Sequence, residues 1–353
     1  QKTVEDLAGK KPDGYQDFRR ILERNDIDAV LIATPDHWHP LLTILGCEAG
    51  KDVYVEKPAC TTVEEGRAMV NAARRYGAVV QVGTQQRSMP LFQQAIDIIH
   101  SGKLGVITSA TAWVGTNGAL VHESARDIPK GLDWDLWLGP APHRPYHPAY
   151  HPWRWRDWRD FGTGPLGDMG CHLLSTVFKA LDLEHPTAVE AVCEEIGPEI
   201  HPRSFKAVFE FPARGDRPPV TITWFDEGFT PPRPKALEPG RRQASPVYIG
   251  DKGTLMGHVL IPESARKAYG SPPKILPRSP GHYREWINAC RGGPPAGADF
   301  VQHAGLLTET PLLGNIAMRF DKKLRWNGRE LAFTNEPAAN KFLHRQYRHP
   351  WTL

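Results

Sequence analysis

Lys57, Asp168 and His172 are the residues whose types and spacing could do chemistry. Lys57 ends the alternating stretch "VYVEKPACTT" (53–62) and is followed by Pro58, which keeps the lysine extended and out of the next helix. A partly desolvated amine at a strand end can donate to a substrate hydroxyl or lower the pKa of a neighbouring acid. The competing reading is a surface lysine with its stem laid along apolar neighbours. In "GTGPLGDMGCH" (162–172), Asp168 and His172 stand four residues apart at the start of an apolar helix, so both project from one face near its positively polarised end. That pairing suits proton transfer from an alcohol, with His172 as base and Asp168 orienting the substrate or the ring. Alternatively, Asp168 is a first-turn helix stabiliser and His172 a core histidine with its partners satisfied.

Two further clusters carry chemistry-bearing side chains. "TPDHWHP" (34–40) places His37 and His39 after a strand end, without a third ligand at clear spacing for a metal, so lining a cofactor pocket is the expectation. "HPAYHPWRWRDW" (147–158) sets His147, His151, Arg154 and Arg156 among aromatic rings that either stack on a sugar ring or pack a loop against the core. No GxSxG elbow, HExxH pair or Walker loop occurs.

The elements that must position these groups alternate. "YQDFRRILERN" has helical spacing at Phe18, Ile21 and Leu22; "IDAVLIATP" is a short apolar run that reads as a strand buried on both faces; "HPLLTILGCEAGK" returns to helical spacing and closes at Gly50. "DVYVEKP" is a second strand, Thr62 and Glu65 form a capping-box pattern opening the next helix, and "AVVQVGTQQR" and "PLFQQAIDIIHSG" repeat the strand–helix step. Such alternation implies parallel strands with right-handed crossovers, and ligands bind beyond the carboxyl ends of those strands. Here the ends are "TPDHWH", "EKPA" and "GTQQR". From "VITSATAWVG" onward the pattern changes: a loop-rich insertion reaches Gly167, a helix "GDMGCHLLSTVFKALDL" follows, and "TAVEAVCEEI", "SFKAVFEFP" and "PVTITWFDEG" alternate like an antiparallel sheet. Pro231 to Gly240 reads as a surface loop.

Composition narrows the classes. The 353 residues suffice for two cores, and 40% hydrophobic with 24% charged residues are globular values. No run approaches the ~18 apolar residues of a membrane helix. Forty-three basic and 40 acidic residues, net +3, create no large field that would steer the chain to nucleic acid. The five cysteines are odd in number and lack CxxC spacing, as expected of buried free thiols.

Taken in order, "AVLIATPDHWH", "DVYVEKP", "VVQVGTQQR", the tryptophan-rich "LDWDLWLGPAPHRPYHPAYHPWRWRDWRDFGTGPLGDMGCH", "YIGDKGTL" and "LTETPLLGNIAMR" resemble the Gfo/Idh/MocA family over nearly the whole chain. EKP alone is a weak signal, but in order with GxxxxGDxxxH it is specific. The tryptophan-rich insertion resembles a subgroup often exported by the twin-arginine route, and also NAD-dependent glycosidases of the same superfamily; cytoplasmic and periplasmic locations both stay open. The resemblance implies an α/β fold: a Rossmann-like parallel-sheet domain over 1–107, and over 108–353 an α+β domain with a large, mostly antiparallel open sheet for substrate binding and oligomerisation. It implies NAD or NADP as cofactor, a carbohydrate or cyclitol substrate, and a homo-oligomer, dimer or tetramer. Carried across by position, Lys57, Asp168 and His172 are the catalytic set. Thr34, Pro35, His37, His39, Glu56, Lys57 and Gln85 border the cofactor, and Arg87, Tyr150, Trp153, Arg154 and Trp155, with Asp168 and His172, the substrate.

The resemblance also implies a G-x-G-x-x-G loop ahead of "KPDGYQDFRR", and the first residues here do not carry it, so this chain is expected to lack about the first βαβ unit of a longer native product. The leading functional expectation is an NAD(P)-dependent oxidoreductase acting on a secondary hydroxyl of a sugar, sugar derivative or cyclitol. A redox-assisted glycoside hydrolase is the second reading, and a non-catalytic sugar-binding or scaffold protein without its cofactor half is the third.

Overall fold

A short strand followed by an amphipathic helix can continue in a parallel sheet only through a crossover, and the first hundred residues are built that way. The computed structural model describes residues 2–115, 124–194 and 197–353, so part of the loop-rich insertion (116–123) and the end of "TAVEAVCEEI" (195–196) lie outside the described residues. After the short helices α1 (Lys2–Ala8) and α2 (Arg19–Leu22) come β1 (Ala29–Ile32), α3 (His39–Glu48), β2 (Asp52–Val55), α4 (Val63–Tyr76), β3 (Val80–Val82) and α5 (Pro90–His100). The three strands are parallel in the order β1-β2-β3.

Local chemistry accounts for the boundaries. Thr62 and Glu65 make the expected capping box, with the Thr62 hydroxyl accepting from the Glu65 amide (3.3 Å) and the Glu65 carboxylate accepting from the Thr62 amide (2.8 Å). Gly50 takes φ +70 just past α3, the left-handed conformation expected of it. Two expectations change. The helix read over Tyr15 to Asn25 contracts to α2, because Asp17 binds the Arg19 side chain and Arg24 reaches Asp13 and Asp26, so these side chains organise turns in place of a longer helix. β1 is not buried on both faces: Leu31 is 55% exposed, since α3 packs on β1 and the opposite face carrying Leu31 stays open.

The second sheet has nine strands in the order β10-β9-β8-β4-β7-β6-β5-β11-β12. They are β4 (Ile107–Trp113), β5 (Ala188–Cys193), β6 (Phe205–Phe211), β7 (Val220–Phe225), β8 (Val247–Gly250), β9 (Thr254–Met256), β10 (Val259–Ile261), β11 (Leu324–Asn327) and β12 (Ala332–Phe333). Every neighbouring pair is antiparallel except β4 with β7. In β6, Phe205, Ala207, Phe209 and Phe211 are buried and alternate with half-buried Lys206, Val208 and Glu210, the pattern of a sheet with one covered face. The cover comes from α7 (Gly164–Leu181) and α10 (Gly305–Ala317), with α6 (Trp134–Leu138), α8 (Glu263–Tyr269) and α9 (His282–Cys290) at the periphery. α7 begins four residues before Asp168, so that carboxylate sits in the second turn and the first-turn reading does not hold. All five cysteines are free thiols.

α10 packs against both α4 and α7 and so joins the two sheets. Its Gly314 permits that closeness: a Cβ there would lie 2.5 Å from Leu166 Cδ2 and 2.9 Å from Phe209 Cζ. Gly314→Ala should gain roughly 0.5–1 kcal/mol of helix propensity but incur ~1–3 kcal/mol of overpacking, for a net loss of stability. A lowered midpoint in denaturant unfolding is the expected result.

Candidate active site

Ile32, Val55 and Val82 pair across the parallel sheet, so the residues just beyond them form one edge. Lys57 leaves that edge toward the second domain. Its Nζ donates to Asp168 Oδ1 (2.5 Å) and to the Asp168 carbonyl (3.0 Å), joining β2 to the second turn of α7. His172 lies one turn further along the same face. Its Nδ1 is buried without a partner, and burial first, then the Lys57 charge, pushes its pKa down to about 4, against a smaller opposing effect from Asp168. The ring is therefore neutral near pH 7, with Nε2 the nitrogen left to meet a ligand.

Two groups on which the sequence reading did not settle complete the cluster. Arg156 Nε lies 3.7 Å from Asp168 Oδ1, and its guanidinium is stacked between Trp153 and Trp155, 4.2 Å from each ring centroid. Its signal was the W-R-W-R alternation, in which a cation is flanked by rings. Asp36 sits inside "TPDHWHP" yet is wholly buried, and accepts a 3.2 Å hydrogen bond from the Thr163 hydroxyl. Desolvation first, then the Asp168 charge, raises its pKa to about 8, against the lowering effect of Lys57 and Arg156. The burial of an acid between Pro35 and two aromatic rings was the available hint.

The other expected site residues divide into two groups. Thr34, Pro35, Glu56 and Gln85 stand on the strand edge with Lys57. Gln85 donates to Glu56 Oε1 (3.1 Å) and the Tyr54 hydroxyl (3.0 Å), and burial raises the Glu56 pKa. His37 and His39, expected to line the cofactor pocket, turn instead to protein acceptors. His37 Nε2 is 3.0 Å from the Trp137 carbonyl, with its ring against Trp137 and Phe161; His39 bridges the carbonyls of Pro58 (2.7 Å) and Thr34 (2.8 Å). Both rings are fully buried and neutral, so each donates from one nitrogen to one interior carbonyl, and His39 lies within reach of two. Tyr150 is also interior: its ring packs on Trp134, Trp158 and Phe161 beneath the Arg144 guanidinium, which removes it from a substrate surface. Trp153 is exposed and Trp155 buried, one on each side of Arg156, while Arg154 lies on the same single turn. Arg87 is buried and faces a different cavity, whose lining includes neither Lys57 nor Asp168.

The strand edge fits one end of a dinucleotide. The hydroxyls of Thr34 and Thr84 are buried without protein partners, and Gly83 lets the chain pass close to Glu56, whose carboxylate a Cβ would meet at 2.4 Å. These groups suit the ribose and carboxamide hydrogen-bonding pattern of a nicotinamide nucleoside. Among the described strand-to-helix turns, Thr34-Pro35, Glu56-Lys57-Pro58 and Gly83-Thr84-Gln85, none is a glycine-spaced phosphate loop.

A parallel-sheet domain presenting a lysine to an acid and a histidine on a helix over an open mixed sheet defines a two-domain Rossmann-type oxidoreductase fold. The family profile described as "Oxidoreductase family, NAD-binding Rossmann fold" matches residues 2–84, and that described as "Oxidoreductase family, C-terminal alpha/beta domain" matches residues 92–204. The chain belongs to the Gfo/Idh/MocA oxidoreductase family. Levoglucosan dehydrogenase of Pseudarthrobacter phenanthrenivorans is 30% identical over 158 residues, 45% of this chain and 34% of that protein. The scyllo-inositol 2-dehydrogenase (NAD(+)) of Bacillus subtilis is 36% identical over 90 residues, 26% of each chain. The matched stretches thus span about a third or less of these curated relatives. Among solved structures, the WlbA dehydrogenase of Bordetella pertussis in complex with NADH and UDP-GlcNAcA superposes with a TM-score of 0.65 at 18% identity, over 92% of this chain and 86% of that one. A levoglucosan dehydrogenase complex with NADH and levoglucosan gives 0.56 at 19% identity, over 92% and 86%.

The buried Asp36 makes stability depend on pH. An acid at 3.8 when unfolded and about 8 when folded is protonated in the fold but ionised in the unfolded chain between those values, so its contribution is complete below about 4 and declines as pH rises toward 8. Asp36→Asn should therefore match the parent near pH 4 and gain relative stability at pH 8 to 9. Thermal melts across that range measure it, and identical pH profiles for the two proteins would contradict the assignment.

Proposed function

We propose that the chain carries the catalytic half-site of an NAD(P)-dependent oxidoreductase acting on a secondary hydroxyl of a sugar, sugar derivative or cyclitol. The observation that carries it is the approach of Lys57 to Asp168 at 2.5 Å, with neutral His172 one turn away, at the edge where three parallel strands end. Family membership and dehydrogenase relatives named for levoglucosan and scyllo-inositol support the substrate class.

Each residue then has a task. His172 accepts the hydroxyl proton at Nε2 during oxidation and returns it during reduction; protonation of the ring, which would silence it as a base, lies near pH 4. Lys57 gives two of its three N–H donors to Asp168 and keeps the third for the substrate oxygen, where it stabilises developing negative charge. Asp168 fixes the ammonium and helps hold Arg156, whose ring-stacked guanidinium and exposed neighbour Trp153 offer a planar, amphipathic wall to a pyranose or cyclitol. Thr34, Glu56 and Gln85 would hold the nicotinamide ribose. When bound, the nicotinamide supplies the hydride acceptor or donor.

The test is a substrate screen following absorbance of the reduced nicotinamide, together with calorimetric titration of NAD(H). His172→Ala and Lys57→Ala should each lower kcat by roughly 10²–10⁴-fold while circular dichroism stays unchanged. Retained activity in both variants would remove the assignment. Arg156→Ala should mainly raise KM, because it takes away wall and orientation and leaves the proton acceptor in place.

A further inference from the structure

Arg87 lies on the single turn Gln85–Ser88 and is only 8% exposed, yet among the described residues its guanidinium has no hydrogen bond and no ion pair within 4 Å. It faces a cavity of about 520 Å³ reached by α5, α7, α9 and the π-helical turn Phe300–Ala304, and a smaller one of about 190 Å³ beside it. Arg87, Lys179, Gln302 and His303 line both and so form the wall the two share. Lys179 has no hydrogen-bonded partner either. Its pKa is lowered by burial and then by Arg87, and that of His303 falls to about 4 through burial, Arg87 and Lys179.

The surrounding carboxylates make their bonds elsewhere or stand exposed, with Asp182 raising the pKa of Lys179 and His303 from the wall of the smaller cavity without a bond to either. Glu285, the acid that acts on Arg87, accepts from the Gly297 amide (3.1 Å) and the Ser88 hydroxyl (3.4 Å). Asp97 holds Arg278 at 2.5 Å, Asp182 pairs with Arg217 at 2.7 Å, and Glu184 stands exposed at the rim of the smaller cavity. A buried guanidinium and a neighbouring amine thus share a concave space in which, among the described residues, neither has a bonded counter-ion, an arrangement that is costly until an anion enters. A guanidinium offers paired N–H groups matched to two oxygens of one acid, and an ammonium beside it adds a point charge. π-helical turns such as the one carrying Gln302 and His303 recur at functional sites.

We infer that this cavity is a binding site for a small oxyanion, the phosphate or carboxylate group of a metabolite, distinct from the strand-edge cleft. Lys179 lies seven residues beyond His172 on α7, two turns or roughly 10 Å along the axis, and the cavity is lined by none of Lys57, Asp168 and His172. The site is therefore independent of the hydride-transfer reading.

Calorimetry and thermal melts with inorganic phosphate and with malonate, against sodium chloride at matched ionic strength, test it. The expected result is saturable binding of one anion per chain, weakened at least tenfold in Lys179→Gln and lost in Arg87→Gln, with Lys57→Ala unaffected. Preference between the two probes tells a phosphate-bearing from a carboxylate-bearing ligand. The inference is overturned if neither probe saturates beyond the chloride response, which would leave Glu285 as the working counter-ion. It is equally overturned if Lys179→Gln binds like the parent, or if Lys57→Ala is the variant that abolishes binding.

Discussion

The Lys57–Asp168 ion pair is the interaction around which the rest of the site is arranged. It spans 111 residues of sequence and joins the end of a parallel strand to a helix lying over the other sheet, so it forms only when both domains are folded and docked. Each partner is mostly but not wholly withdrawn from water, with 15% and 24% of its side chain exposed. Taking two charges that far from solvent is unfavourable unless their remaining polar atoms are also bonded. Here the ammonium makes two bonds to one residue and the carboxylate has a second cation, Arg156, at 3.7 Å. Once Asp168 is ionised and doubly compensated, a second charge on Asp36 has little left to neutralise it, and the buried carboxyl keeps its proton.

That protonated acid is also structural. The Thr163 hydroxyl donates to Asp36, and the Thr163 carbonyl accepts from the Asn315 amide at 2.7 Å, so a polar chain runs from the end of β1 through the start of α7 to α10. The backbone must be unusually close for this to work. Gly164 takes φ +65 with His201 packed where a Cβ would stand, at 2.5 Å. His39, lodged between the Thr34 and Pro58 carbonyls and donating to one of them, performs the same joining task on the sheet side, which is why a histidine so near the ligand edge is spent inside the protein.

The readability of the sequence follows from the range of the interactions. Capping boxes, glycine caps and strand–helix alternation are decided within a few residues, so α3, α4 and the three parallel strands were visible as written, and the order of motifs identified the two-domain fold. The start of α7 was not, because Gly164 and Pro165 read as loop residues, and Gly164 enters the helix at φ +65 with His201 packed against it. The same limit separates Lys57 from Arg87. Both are cations at strand ends, but their partners lie more than a hundred residues away or are missing, and only the folded chain shows which. For Tyr150 and Trp155 the sequence left two readings open, stacking on a substrate or packing in the core, and the aromatic-rich loop folds on itself as a satellite core around Phe161 that buries both, while Trp153 stands exposed.

How the chain compensates its buried cations then differs from place to place, and the difference is informative. Arg156 is held by two ring faces and a carboxylate, and Lys57 by a carboxylate and a carbonyl. Both are fixed before any ligand arrives, as a site that must act on developing charge requires, because reorganisation during the reaction would weaken it. Among the described residues, Arg87 has packing but no bonded partner, and Glu285 opposes its charge at a distance. A preorganised cation serves a transition state, whereas an uncompensated one is satisfied only by something that binds and remains. On the proposed reading, the two arrangements divide the chain into a site shaped for turnover and a cavity shaped for occupancy.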